Sequence, residues 1–340
     1  MIGYITFAAA RATQADELGR AIPRIADRIE ERKEAGVLSG PGPIFVGIGA
    51  SLAAACAPVW SLRSRGIHSW RLGAGDLPLP FPESVHPIVG ISQSGRSAET
   101  LAVLESVAAE LRLAVVNSEP SPIAQLASTI SLGNLSDSYA STLGYTATVA
   151  ALGMLADAWD GGRIDPGWTT LHETFASVED GVTDQVVGLA GLFRTVASCD
   201  FVGAGPAVGS AEAGALLFRE VARIPATAMS TRQYLHGSME SAGDGVHVVL
   251  GDSREIDLAT TLSDAGHHVI LITGEDVEPS ATLHPVRLPK LPASQRAVLE
   301  ALVLQILVGA VADVRGVEIE EFVFHNADTK VPVDAAGGAA

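Results

Sequence analysis

Residues 91–100 read ISQSGRSAET and stand between a short apolar run, HPIVGI (86–91), and a helical pattern, AETLAVLESVAAEL (98–111). A strand that ends in small hydroxyl residues and opens directly into a helix aims backbone N–H groups, side-chain hydroxyls and the positive helix end at one point. The expected occupant is an anion such as a phosphate, with Ser92, Ser94 and Ser97 facing it. The same serines would also serve simply as helix caps; a short motif of this kind does not separate the two roles.

The 340 residues are enough for two domains, each with its own core. With 47% hydrophobic and 18% charged residues the chain reads as globular and not disordered. A net charge of −17 argues against nucleic acid or an anionic membrane surface as partner. Any bound anion must therefore be held locally, by dipoles and hydroxyls. Cys56 and Cys199 lie in apolar runs without metal-ligand spacing and are expected to be two reduced, buried thiols, as in a cytoplasmic protein. The N-terminus lacks a basic start followed by a sustained apolar core, so no signal peptide is expected. The late apolar stretch ALVLQILVGAVADV (301–314) is read as too short to span a bilayer. No metal or other cofactor is implied by spacing.

Self-comparison reveals a duplication. FVGIG (45–49) matches FVGAG (201–205), LRLAVVNSE (111–119) lies over HHVILITGE (267–275), and TATVAALGML (146–155) over LVLQILVGAV (302–311), all at an offset of 156. Each half alternates apolar strands, glycine turns and helices, the pattern of a parallel sheet covered on both faces. The fold class is therefore α/β, two tandem flavodoxin-like, Rossmann-like three-layer domains. Open sheets of this kind bind ligands outside the carboxyl ends of their strands, where both serine-bearing turns of the first half lie. In the second half the counterpart of ISQSGRSAET is VVLGDSREID (248–257), with Asp252 and Glu255 in place of hydroxyls. Two carboxylates would repel a phosphate, so one phosphate site per chain is expected, in the first half. The GIGAS turn (47–51) is not a dinucleotide fingerprint: Leu52 replaces the third glycine, and the strand IHSWRL (67–72) ends without an acidic residue for a ribose.

Two copies of this unit, with GIGAS and SQSGRSAET in the first, NSEPSPIAQLA (117–127), and YASTLGYTATVAAL (139–152) closing the first half, resemble the sugar isomerase domain family. That family includes the isomerase module of glucosamine-6-phosphate synthase and the fructosamine-6-phosphate deglycases. The resemblance covers residues 40–330. It implies that Ser51, Ser92, Gln93, Ser94 and Ser97 hold the phosphate of a sugar phosphate, with Gly49, Ala50, Ser141 and Thr142 as further substrate-binding positions. The implied organisation is a helical N-terminal segment (1–30), a first domain with the phosphate site (31–165), a second with the catalytic Glu and His (166–320), and a tail reaching the active site (321–340). A homodimer with shared active sites is implied too.

In the second half, GALLFREVARIP (214–225) and STRQYLHGSME (230–240) resemble the family segment that carries a catalytic glutamate, followed sixteen residues later by a histidine. Glu220 and His236 take those places. The resemblance implies that the glutamate moves a proton between the first two sugar carbons and the histidine assists ring opening. The residues argue the same way for Glu220: Leu216, Leu217 and Ile224 at spacings of three and four set it on an apolar helical stripe. Burial there would raise its pKa and make it a better base for a weakly acidic C–H; a Glu snorkelling at the stripe's edge is the alternative. His236 precedes Gly237 and is expected on a loop. Only Lys33, Lys290 and Lys330 are lysines. By resemblance Lys330 reaches the active site, where it could form a Schiff base with an open ketose; a solvated tail lysine is the alternative.

The pattern departs from the synthase at Ala213 and Leu217, where that enzyme has Glu and Lys, and at Leu143, which ends STL where it has STK. With no glutaminase domain or N-terminal cysteine in these residues, amination of fructose 6-phosphate from glutamine is not expected. The expected activity is deglycation or deamination of an amino-sugar phosphate, or aldose–ketose isomerisation. The alternative is a sensor that binds a sugar phosphate unchanged, since one fold serves several functions.

Overall fold

The computed structural model describes residues 3–243, 245–320 and 322–332. The chain forms two compact units, Met1–His172 with Phe322–Ala340, and Glu173–Glu321. In the first, α1 (Phe7–Ala12) and α2 (Gln14–Glu34) lead to β1 (Ile44–Gly47), α3 (Ala50–Ala54), α4 (Cys56–Ser64), β2 (Trp70–Gly73) and β3 (Ile88–Ser92). There follow α5 (Ala98–Glu105), β4 (Arg112–Val116), α6 (Pro122–Leu126), β5 (Ser128–Ser131) and α7 (Leu143–Ala158). After α8 (Leu171–Gly188) the second unit runs β6 (Cys199–Gly203), α9 (Ala207–Leu217), β7 (Ala226–Ser230), α10 (Thr231–Leu235) and β8 (Val246–Leu250). It closes with α11 (Arg254–Asp264), β9 (His268–Thr273), β10 (Leu283–Arg287) and α12 (Ala293–Arg315).

Each unit holds one five-stranded sheet, ordered β2-β1-β3-β4-β5 and β7-β6-β8-β9-β10. Every strand pairing is parallel. The two orders are the same, so the sequence repeat is a repeat of topology. The central strands β1, β3 and β8 are buried at every position, which is why they read as continuous apolar runs and not as alternating ones. The break between units falls after His172, not after residue 165. The turn that carries Trp168 belongs to the first unit, where the indole is buried and its N–H donates to Asp157 at 2.8 Å.

Two helices are apolar all round because they are enclosed. α7 is buried along nearly its whole length. α12 overturns the reading that the late apolar stretch is short: polar Gln295, Arg296 and Glu300 lie inside the helix, which runs 23 residues. By length and hydropathy it would cross a membrane, yet 78% of its most apolar window is buried inside the protein. Cys199 is buried and burial pushes its thiol up to about 12, whereas Cys56 is only partly buried.

α9 lies very close to β6 and α12. A Cβ at Gly214 would sit 2.8 Å from the Phe201 ring and 3.0 Å from Leu304 Cδ1. Replacing a helical Gly by Ala gains about 1 kcal/mol of propensity, whereas overpacking a filled core costs about 1–3 kcal/mol. Gly214→Ala is therefore expected to lower the thermal midpoint by several degrees. A raised midpoint would show that the ring and Leu304 yield.

Candidate functional site

β3 ends at Ser92 and α5 starts at Ala98, so residues 93–97 form the turn at the carboxyl edge of the first sheet. The backbone is drawn into a tight cup. Gly95 N–H donates to Ser92 O at 3.1 Å, and the Ser92 and Ser97 hydroxyls lie 2.9 Å apart. Ser97 N–H also reaches Ser92 Oγ at 3.4 Å, and Arg96 N–H reaches Ser94 Oγ at 3.3 Å. Gly95 has φ +63°, and a Cβ there would collide with the side chain of Ser121, so this position excludes other residues on two counts. The carbonyl of Gln93 accepts N–H groups of Asn117 and Ser118 at 3.0 and 2.9 Å, tying the cup to the end of β4. The hydroxyls of Ser92 and Ser97 thus meet beside the start of α5, with Ser94 in the same turn, at the edge where open α/β sheets take ligands.

Ser51 stands on the first turn of α3, directly after β1, the sheet neighbour of β3. Gly49 is exposed there, and Ala50 and Ser51 are half-buried. The tail joins the cup from the other side. Lys330 pairs with Ser97 in an antiparallel bridge, Val331 N–H donates to Arg96 O at 2.9 Å, and Arg96 Nε donates to Val331 O at 2.7 Å. The Lys330 side chain is exposed beside the turn.

Ser141 and Thr142 do not face outward with free hydroxyls. Both donate to Asp137, Ser141 Oγ at 2.9 Å and Thr142 Oγ1 at 2.7 Å, and Thr142 is wholly buried. Asp137, which motif reading passed over, also takes the N–H groups of Thr142, Leu143 and Gly144 at the start of α7, and the amide nitrogen of Gln93 at 2.8 Å. The available signal was its position six residues before the start of a long apolar helix, in a Ser/Thr-rich stretch, NLSDSYAST (134–142).

In the second unit, Glu220 sits in a π turn, Phe218–Ala222, that closes α9 before Arg223 turns left-handed at φ 53°. The helical spacing expected for Ile224 is broken there: Ile224 is buried beyond the turn, not on one stripe with Leu217. Burial nonetheless pushes the Glu220 carboxyl up to about 7. π turns concentrate at functional positions. His236 caps α10 in a turn and is exposed. The helix that presents it is anchored through Tyr234, fully buried, whose hydroxyl donates to Asp200 at 3.2 Å.

The second unit's counterpart of the cup is shorter, residues 251–253 between β8 and α11, and is filled from within. Asp252 accepts Thr273 Oγ1, Gly274 N–H and Arg296 Nη1, the last at 2.6 Å. Burial opposes ionisation of Asp252, but these donors, Gly274 first, hold its carboxyl below the usual range. No group of His, Cys, Asp and Glu suited to a metal occurs among the described residues. A cavity of about 460 Å³ lined by Asp200 and His247 lies at the amino ends of β6 and β8, the opposite edge from the turns described above.

No family model matches the chain. Two curated glutamine–fructose-6-phosphate aminotransferases (isomerizing) are similar to it. One, from Rhizobium leguminosarum bv. viciae, is 28% identical over 68% of this chain and 42% of its own length. The other, from Corynebacterium diphtheriae, is 26% identical over 45% of this chain and 26% of its own. The chain thus spans well under half the length of these relatives. Among solved structures, the C-terminal domain of glucosamine-fructose-6-phosphate aminotransferase from Francisella tularensis superposes with TM-score 0.79 at 16% identity, covering 94% of this chain and 99% of that one. Tagatose-6-phosphate ketose/aldose isomerase from Escherichia coli gives 0.71 at 18% identity, with 96% of each chain covered. Glucosamine-6-phosphate deaminase from Thermotoga maritima gives 0.70 at 18%, with 94% and 100% covered. The resemblance read from the motifs is borne out: the chain carries the sugar isomerase domain fold twice and is similar to the C-terminal domain of such an aminotransferase.

Proposed function

We propose that the protein is a phosphosugar-processing enzyme acting at C1 and C2 of a hexose or amino-hexose 6-phosphate. In this reading the turn Ser92–Ser97, with Ser51, holds the phosphate. Glu220 takes the proton from the hydroxyl-bearing carbon beside the carbonyl of the open-chain sugar, leaving an enediolate, and returns it to the former carbonyl carbon. With the hydroxyl proton passing between the two adjacent oxygens of the enediolate, that step interconverts aldose and ketose; with an amine on the substrate, the same carbon proton transfer prepares deamination or deglycation. His236 would move the proton that opens the sugar ring, and Lys330, exposed beside the turn, would engage the open ketose. A homodimer and a cytoplasmic setting are part of the proposal.

The observation that carries it is the Glu220 carboxyl, half-buried in a π turn with no ion pair among the described residues and pushed up to about 7 by desolvation. A structural or sensing protein gains nothing from a half-buried carboxylate that burial destabilises, whereas a general base works best with a pKa near the operating pH. The relatives support the substrate class: they are named for fructose 6-phosphate, tagatose 6-phosphate and glucosamine 6-phosphate.

Proton NMR in D2O with fructose 6-phosphate, glucosamine 6-phosphate and a fructosamine 6-phosphate is expected to show deuterium entering C1 or C2, or amine release, with at least one of them. Glu220→Gln should reduce that exchange by about 100-fold or more. No exchange with any of the three, together with a ligand-induced rise in melting temperature, would replace the enzyme by a sensor.

The base is active when ionised, so kcat/KM should rise with pH through an apparent pKa near 7. Stability runs the opposite way. The folded-state pKa is raised from 4.5 to about 7, so the neutral form's contribution is complete below 4.5 and is lost as pH rises through 7. Glu220→Gln should therefore match the wild type at pH 4 and exceed it at pH 8, by on the order of 3 kcal/mol at most. Equal melting temperatures at both pH values would show that the carboxyl is not desolvated.

A further inference from the structure

We propose that Asp137 fixes which end of the Gln93 amide faces the ligand, so that Gln93 reads a hydrogen-bond donor on the sugar and not the phosphate. Asp137 is 7% exposed, and every hydrogen bond it makes through its carboxylate is received. A carboxylate has only acceptors to offer, so the nitrogen of the Gln93 amide must turn toward it, as it does at 2.8 Å. The backbone of Gln93 cannot swing away, because its carbonyl is held by the N–H groups of Asn117 and Ser118. The Oε1 end is left over, and among the described residues it accepts no hydrogen bond. A carbonyl oxygen with a buried negative charge behind its amide repels a phosphate oxygen and attracts an O–H or N–H.

The inference rests on the reading of the Ser92–Ser97 turn as a sugar-phosphate site and divides that site in two. The hydroxyls and N–H groups of the turn take the phosphate. Gln93, held by Asp137, takes a sugar hydroxyl or protonated amine. This reassigns Gln93 from the phosphate role that motif resemblance implies. The ligand class is a phosphorylated polyol or amino sugar, and bare phosphate lacks the second half of the recognition.

Isothermal titration of the intact protein with inorganic phosphate, fructose 6-phosphate and glucosamine 6-phosphate tests this. Gln93→Ala is expected to leave phosphate affinity within about twofold and to weaken both sugar phosphates about tenfold, the loss of one hydrogen bond. In Asp137→Asn the partner can donate as well as accept, so the Gln93 amide is free to turn over. Phosphate should then bind more tightly and the preference for the sugar phosphates should shrink about tenfold. Should Asp137→Asn fail to fold, Gln93→Ala and Gln93→Met decide. Equal losses for phosphate and sugar phosphates in the Gln93 variants would overturn the assignment while leaving the phosphosugar site standing. A wild type that binds none of the three ligands would overturn both.

Discussion

A buried carboxylate at the head of a buried helix organises the first unit. α7 is enclosed along nearly its whole length, so the N–H groups of its first turn have no water to meet, and the residue before it supplies no capping side chain. Asp137 meets them from outside the helix, taking the N–H groups of Thr142, Leu143 and Gly144. Its charge also opposes the positive helix end, which makes burial of a lone carboxylate tolerable. The remaining capacity goes to Ser141, Thr142 and Gln93. A device that stabilises the core helix thereby sets the amide at the ligand turn. The segment 134–142 is thereby coupled to the turn after β3 through Gln93.

The duplicated halves solve the same geometric problem in opposite ways. Both place a strand end, a short turn and a helix start at the carboxyl edge of a parallel sheet, a natural anion site. The first half leaves hydroxyls there. In the second, Asp252 occupies the shorter turn and is neutralised by Arg296, which also donates to buried Glu300 at 3.0 Å, and Ser210 completes that carboxylate at 2.6 Å. An internal anion with its own donors thus fills the turn that in the first half is lined by hydroxyls. A few residues separate an open turn from a filled one while the sheets keep the same order.

Local pattern carried most of the fold. Continuous Val/Ile runs, Gly and Ser turns at strand ends and the repeat at a constant offset are short-range features, and each maps onto a strand, a turn or a sheet position. Gly95 was legible for the same reason, since SG between a strand and a helix predicts a tight turn. Helix bounds were less legible: the polar residues Gln295, Arg296 and Glu300 masked the first turns of α12, and the partners of the last two, Asp252 and Ser210, lie far away in sequence. The stripe read for Glu220 failed at Ile224 because a π turn changes the residue spacing, and nothing in a helical periodicity announces such a turn.

The sequence alone determined that the chain is two α/β halves from one repeat and that only the first carries a serine-rich turn after its third strand. It also marked Glu220, His236 and Lys330 as the side chains to follow. Only the tertiary structure decided that Lys330 pairs with Ser97, that burial lifts the Glu220 carboxyl, and that Thr142 spends its hydroxyl on Asp137. The physical reason is range. Strand, turn and helix preferences act over a few residues and leave their mark in composition and spacing. Desolvation and hydrogen-bond pairing depend on which distant segments close around a group, and exist only once the chain has packed.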